Sequence, residues 1–211
     1  MSGVLMNRAC AALASFGLLA IAGCSSPEPP AGRTEIVDLG GRQSLDLFVP
    51  EGWYLESMDG AETAADPPGD RLFVLADEAR LPRQILDGAI AGDPSEEFDR
   101  LTGQGAAVSV VISVPGSCAE IESQVDELDA TCAELMPTAH TETVDDAFGT
   151  TASAGSVPAS ASPGVAWLYS AVTLGNDECV GVALQKFSEE DTADTDREQL
   201  VTIARYSGVT G

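Results

Sequence analysis

From residue 34 onward the apolar positions fall into short blocks whose spacing predicts the elements. Thr34 to Leu39 alternates, Gly40-Gly41 marks a turn, and Leu45, Leu47 and Val49 alternate again, which predicts an opening β-hairpin. Pro50-Glu51-Gly52 stops that strand and presents Trp53, and the polar, Pro-containing stretch Asp59 to Asp70 reads as loop. Arg71 to Ala76 is a short apolar strand. Asp93-Pro94, followed by Ser95-Glu96-Glu97-Phe98, has the N-cap, early proline and first-turn acids of a helix that Gly103 ends. Ala107 to Val114 is the most β-branched run and predicts a central strand. After Pro115-Gly116-Ser117, the residues Cys118, Ile121, Val125, Leu128, Cys132 and Leu135 recur at three- and four-residue steps. That is one apolar stripe of a helix with acids opposite, closed by Pro137.

A single strand is expected within Thr141 to Ala154, through Val144 and Phe148. The small, low-complexity stretch Thr150 to Gly164 reads as an exposed loop. Val165 to Leu174 and Cys179 to Phe187 are strands flanking the turn Gly175-Asn176-Asp177-Glu178. Thr195-x-x-Glu198 reads as a capping box before Leu200, Ile203 and Ala204, with Gly208 as the stop. The order is hairpin, strand, helix, strand, helix, strand, hairpin, helix. Mixed order with short links predicts a single α+β domain over residues 34–211: a largely antiparallel sheet with helices packed on it.

The first residues follow a different rule. Arg8 is the only charge before Glu28, Ala9 to Ala22 is a short apolar run, and small residues lead into Cys24. This is the order of a secretory signal, and the run of about 14 residues falls short of the roughly 20 that span a bilayer. Ile21-Ala22-Gly23-Cys24 resembles the lipobox of bacterial lipoproteins. The resemblance implies removal of residues 1–23, diacylglyceryl transfer to the Cys24 thiol, and acylation of the new amino terminus. Two or more acyl chains hold a protein stably to a membrane where one does not. The expected location is the extracytoplasmic face of the cell membrane, with residues 24–33 a Pro-rich tether to the domain.

Charge narrows the partners. With 34 acidic residues against 10 Lys plus Arg, the chain carries −24, and loss of Arg8 makes it more negative. Such a surface repels phosphate backbones and anionic headgroups, which excludes nucleic acid and leaves the lipid to hold the membrane. Of the five cysteines, Cys10 leaves with the signal and Cys24 is spent on lipid. Cys118, Cys132 and Cys179 remain for an oxidising compartment, where one disulfide and one spare thiol is the simplest arrangement. Cys118 and Cys132 sit about 21 Å apart along one helix, beyond the roughly 7 Å that a disulfide bridges. If each element reverses direction, Cys132 and Cys179 fall at the same end of the domain, so Cys132–Cys179 is the expected bond.

Motifs for catalysis are sparse. There is no GxSxG, no HExxH and no phosphate loop before the sole lysine, Lys186. His140, the only histidine, has Asp145 and Asp146 nearby for a Ser-His-Asp arrangement, but its polar setting reads as a solvated loop. With no CxxC a zinc site is disfavoured. Glu189, Glu190, Asp191, Asp194 and Asp196 precede the last helix, where its dipole favours carboxylates, and their spacing is not that of a calcium loop. Glu51 beside Trp53 would suit a sugar pocket, although a tryptophan after an opening strand more often plugs a core. No catalytic residue, metal or cofactor is therefore expected.

Leu47-Phe48-Val49-Pro50-Glu51-Gly52-Trp53 resembles the strand-Pro-x-x-Trp opening of Mog1/PsbP-like domains, and Val165 to Tyr206 resembles that family's closing hairpin and helix. Several actinobacterial lipoproteins are similar. The resemblance implies an α/β/α sandwich and an accessory role carried out by docking. The expectation is a non-catalytic, lipid-anchored envelope protein that binds a protein partner or small ligand. A carrier or sensor of an apolar ligand is the alternative, marked by an internal cavity among Val108, Val110, Ile112, Val125 and Leu128. A cell-wall hydrolase comes third, marked by His140 clustered with Ser and Asp.

Overall fold

The computed structural model of the chain describes residues 30–40, 43–58, 70–91, 107–135, 139–157, 164–188 and 192–210. The expected signal, Cys24, the helix from Asp93, and Glu189, Glu190 and Asp191 lie outside these residues. The strands are β1 (Gly32–Gly40), β2 (Gln43–Pro50), β3 (Tyr54–Met58), β4 (Arg71–Ala76), β5 (Ala107–Ile112) and the two-residue β6 (Gly116–Ser117). They continue with β7 (His140–Ala147), β8 (Thr150–Val157), β9 (Gly164–Gly175), β10 (Glu178–Ser188) and β11 (Gly208–Thr210). Among the described residues three helices join them: α1 (Leu81–Ala91), α2 (Cys118–Leu135) and α3 (Ala193–Arg205).

The opening hairpin forms as its alternation predicts, with Glu35 opposite Leu47, and β11 adds to the far side of β2. The larger sheet runs β3-β4-β5-β10-β9-β8-β7, with β6 paired onto β10, and every pairing is antiparallel. The class is α+β.

One face of that sheet carries Trp53, Phe73, Val110, Leu168 and Leu184. It is covered by Val37, Leu45 and Leu47 of the small sheet and by Leu200 and Ile203 of α3. On the other face α1 packs Leu81, Ile85 and Leu86 on Val74, Ala76 and Ala107. Beside it, Val125 of α2 lies against Trp167 and Tyr169. β9 is thus covered on both sides, which is why its Val165-Ala166-Trp167-Leu168-Tyr169 run is apolar throughout rather than alternating. α1 was not anticipated. Its signal was Leu81 and Ile85 four apart with Pro82 in the first turn.

Residues 150–157 are strand, not loop. Ala152, Ala154, Ser156 and Val157 are buried there, so the small residues reflect close packing rather than solvation. A Cβ at Gly155 would stand 2.3 Å from Cζ2 of the fully buried Trp167, which lies flat on this strand. Gly155→Ala is therefore expected to cost about 1–3 kcal/mol as an overpacked site, measurable as a lowered urea midpoint.

The reversal between β7 and β8 is also a tight turn where a single strand was expected. Phe148 (φ 53) and Gly149 (φ 75) make it. A left-handed conformation is uncommon for a bulky residue. Phe148 is held there because its ring is buried and its N–H donates to Ala204 O at the end of α3, at 2.8 Å. The closing hairpin turns where predicted, with Asn176 (φ 55) and Asp177 (φ 63) giving the two positive φ values of a type I′ turn.

That extra reversal corrects the disulfide. Cys179 bonds to Cys118, not to Cys132, across a Cα–Cα distance of 4.7 Å. With β7 and β8 as separate strands, one more change of direction places the start of β10 beside the end of β5. There Cys179 pairs in register with Gly116, two residues before Cys118. Counting one strand too few had put Cys179 at the opposite end.

Helix α3 likewise begins earlier than its capping box implied. Ala193 opens it after Thr192, whose hydroxyl donates to Asp196 Oδ2 at 2.9 Å, so Thr195 and Glu198 lie inside the helix.

Candidate functional site

Helix α2 is fastened at its start and lightly held beyond it. Ser117 and Glu120 form a capping box: the Ser117 hydroxyl and N–H both donate to Glu120 Oε2, at 2.7 and 3.3 Å. The hydroxyl bond and then the backbone bond hold the Glu120 carboxyl below its usual range. A depressed carboxylate supports the helix start at neutral pH, and that support is lost as pH falls through the lowered value. The next residue, Cys118, is bonded to β10.

Among the described side chains of the predicted stripe only Ile121 is buried. Val125 is half-buried and Leu128 is 46% exposed. Asp129 accepts from Trp167 Nε1 at 3.5 Å. The helix therefore leaves an open groove between itself and the sheet. Val111, Ser113, Gly181 and Ala183 form the floor, with Tyr169 behind and Gln124, Val125 and Leu128 as the wall. Its volume is about 110 Å3.

The polar groups of the floor are already partnered. Ser113 Oγ accepts the Gly181 N–H at 2.6 Å, and the Ser113 N–H donates to Gly181 O at 2.9 Å. Tyr169 Oη accepts from Gln185 Nε2 at 2.7 Å. On the rim, Asp70 Oδ1 accepts the Val114 N–H at 3.3 Å. Among the described residues the groove presents mostly apolar surface, edged by the Asp70 carboxylate and the Gln124 amide.

The five residues expected around an internal cavity are split between the two faces of the sheet. Val108, Val110 and Ile112 are buried in the filled core against the small sheet and α3, while Val125 and Leu128 face the open groove.

His140, Ser156 and Asp194 do come together, through the pairing of β7 with β8 and the start of α3. Arg197 organises them. Its Nη1 donates to His140 Nδ1 at 2.7 Å, which leaves the ring proton on Nε2. It also lies 3.4 Å from Asp194 Oδ1, while its Nε sits 3.2 Å from Glu142 Oε1, too oblique for a hydrogen bond. Ser156 is buried and its hydroxyl donates straight to Asp194 at 2.7 Å. A catalytic triad needs serine donating to histidine and histidine donating to aspartate. Neither link is present in this group, and Asp145 and Asp146 lie roughly 16 Å or more along the strand from His140.

Trp53 is a core plug, and Glu51 is exposed. Over the Trp53 ring, at 6.0 Å, lies the ammonium of Lys186, which pairs with Asp196 Oδ1 and Gln199 Oε1, each at 2.7 Å. Lys186 and Asp196 are both buried. Sequence reading assigned Asp196 to the helix dipole and gave Lys186 no partner. The signal was period two: Val180, Val182, Leu184 and Lys186 share the face that packs on α3.

Among the described residues no group of three or more His, Cys, Asp or Glu is placed to hold a metal ion.

No family model matches the chain, and no curated protein matches it. Among solved structures the chain is similar to that of LpqN, which is involved in cell envelope biogenesis of Mycobacterium tuberculosis. The TM-score is 0.40 at 14% identity, over 85% of this chain and 91% of that one. The likeness is loose, shared more in extent than in superposition.

Proposed function

We propose that this chain is a lipid-anchored envelope protein on the extracytoplasmic face of the cell membrane, with a Mog1/PsbP-like domain. It docks a protein partner through the groove beside α2 and catalyses no reaction. The observation that carries the docking reading is the groove itself, about 110 Å3, largely apolar, with the polar groups of its floor partnered internally. A carrier needs a pocket of roughly 300–1,000 Å3 to enclose its ligand, and the smaller volume suits a single side chain. The anchor rests on Ile21-Ala22-Gly23-Cys24 after a short apolar run. Among the described residues no helix is long and apolar enough to cross a membrane.

Two measurements test this. Cys24→Ala is expected to shift the protein from the membrane to the soluble fraction and to remove the acyl mass from the intact protein. Membrane attachment that survives the substitution refutes the anchor. A photo-cross-linking amino acid at Leu128 is expected to give protein adducts in intact cells, with the same group at the exposed Ile36 as control. No adduct at 128, or equal adducts at both positions, refutes docking at the groove.

A further inference from the structure

We propose that the groove seats one branched aliphatic side chain carried on a positively charged segment of the partner protein. The inference rests on the docking function proposed for the same groove and specifies the chemistry of its occupant.

Size sets the anchor. A dry cavity of about 150 Å3 accepts a benzene ring, and this groove offers about 110 Å3, room for a leucine, isoleucine or valine. Its contact surface is aliphatic at Val111, Val125 and Leu128, and the polar groups of the floor keep their own partners when such a group is buried there.

Charge sets what carries the anchor. Among the described residues the lining includes Asp70 and neither Lys nor Arg. Helix α2, the wall, contains Glu120, Glu122, Asp126, Glu127 and Asp129 and no basic residue along its length. Glu120 and Glu127 each stand one helical step from Gln124 of the wall, four and three residues away. A surface of one sign steers the opposite sign toward it and turns away like charge. Anionic peptides and phosphate headgroups are therefore excluded, and a cationic segment is concentrated at the groove mouth. The buried anchor supplies hold and specificity, while the charges supply encounter rate.

The test uses the full-length chain with labelled Ile, Leu and Val methyl groups, titrated at low salt. Three pentapeptides serve as probes: Lys-Lys-Leu-Lys-Lys, Lys-Lys-Ala-Lys-Lys and Glu-Glu-Leu-Glu-Glu. The leucine-bearing basic peptide is expected to shift the methyls of Val111, Val125 and Leu128. Its Kd should be roughly tenfold lower than that of the alanine peptide, and should rise with salt. The acidic peptide should not bind.

Leu128→Arg should abolish the response. Glu127→Lys, a change confined to an exposed position, should weaken it by about threefold. Equal affinity for the leucine and alanine peptides, binding of the acidic one, shifts centred on Ile36, or no binding would overturn the inference. Adducts at position 128 alongside such a result would leave docking standing and remove only the cationic, aliphatic occupant. Absence of adducts removes docking itself.

Discussion

Lys186→Met is expected to destabilise the protein by about 3–5 kcal/mol, the range for removing one partner of a buried ion pair. Lys186 is 8% exposed and Asp196 4%, so the carboxylate left behind would keep the Thr192 hydroxyl as a neighbour and lose its counter-charge. Gln199 would lose a donor, and the Trp53 face its cation, in the same substitution. The loss is large against the roughly 5–15 kcal/mol that holds a domain together. Guanidinium unfolding measures it, and the partner substitution shows its origin. Asp196→Leu in the Lys186→Met background should recover most of the stability, because an apolar pair of similar volume avoids burying charge. If the double variant is no better than the single, packing of the lysine stem rather than the orphaned carboxylate sets the cost.

Replacing both Cys118 and Cys179 by serine is expected to cost about 2–4 kcal/mol. The bond closes a loop between positions 61 apart, and chain entropy alone assigns such a loop about 4 kcal/mol. The loss should also be uneven. Among the described side chains of α2 only Ile121 is buried, with Val125 half-buried and Asp129 bonded to Trp167, so its amides should exchange faster than those of β9 or β10. Peptide mapping without reductant should return Cys118 joined to Cys179, and a Cys132–Cys179 peptide would contradict the structure.

What the chain disclosed and what it hid follow from the same physics. The span of α2 was legible because Ile121, Val125, Leu128 and Leu135 repeat at helical steps, and the closing hairpin because Asn176-Asp177 suits a type I′ turn. β5 stood out by its β-branched run. β8 was hidden because contact with Trp167 on one side and α3 on the other demands Gly and Ala, the composition of a loop. The turn before it was hidden because Phe148 takes a conformation that local preference denies it and long-range contacts supply. That one missed reversal carried forward to the wrong cysteine. The groove could not be read at all. It depends on how far α2 stands from β5, a distance fixed by the Cys118–Cys179 bond and by packing between elements distant in the chain.

Burial of Lys186 has an analytical consequence. It is the only lysine in the chain, so the folded domain offers no lysine side chain to amine-directed reagents and no ready site to a lysine-specific protease. Unfolding exposes one such site, near the end of the central strand β10, and a single cut there yields two fragments of unequal mass. When opening is fast relative to cleavage, the rate of that cut follows the population of opened molecules. The strand that carries the buried ammonium is thus also a built-in gauge of how often the fold comes apart, readable in a crude membrane extract without purification.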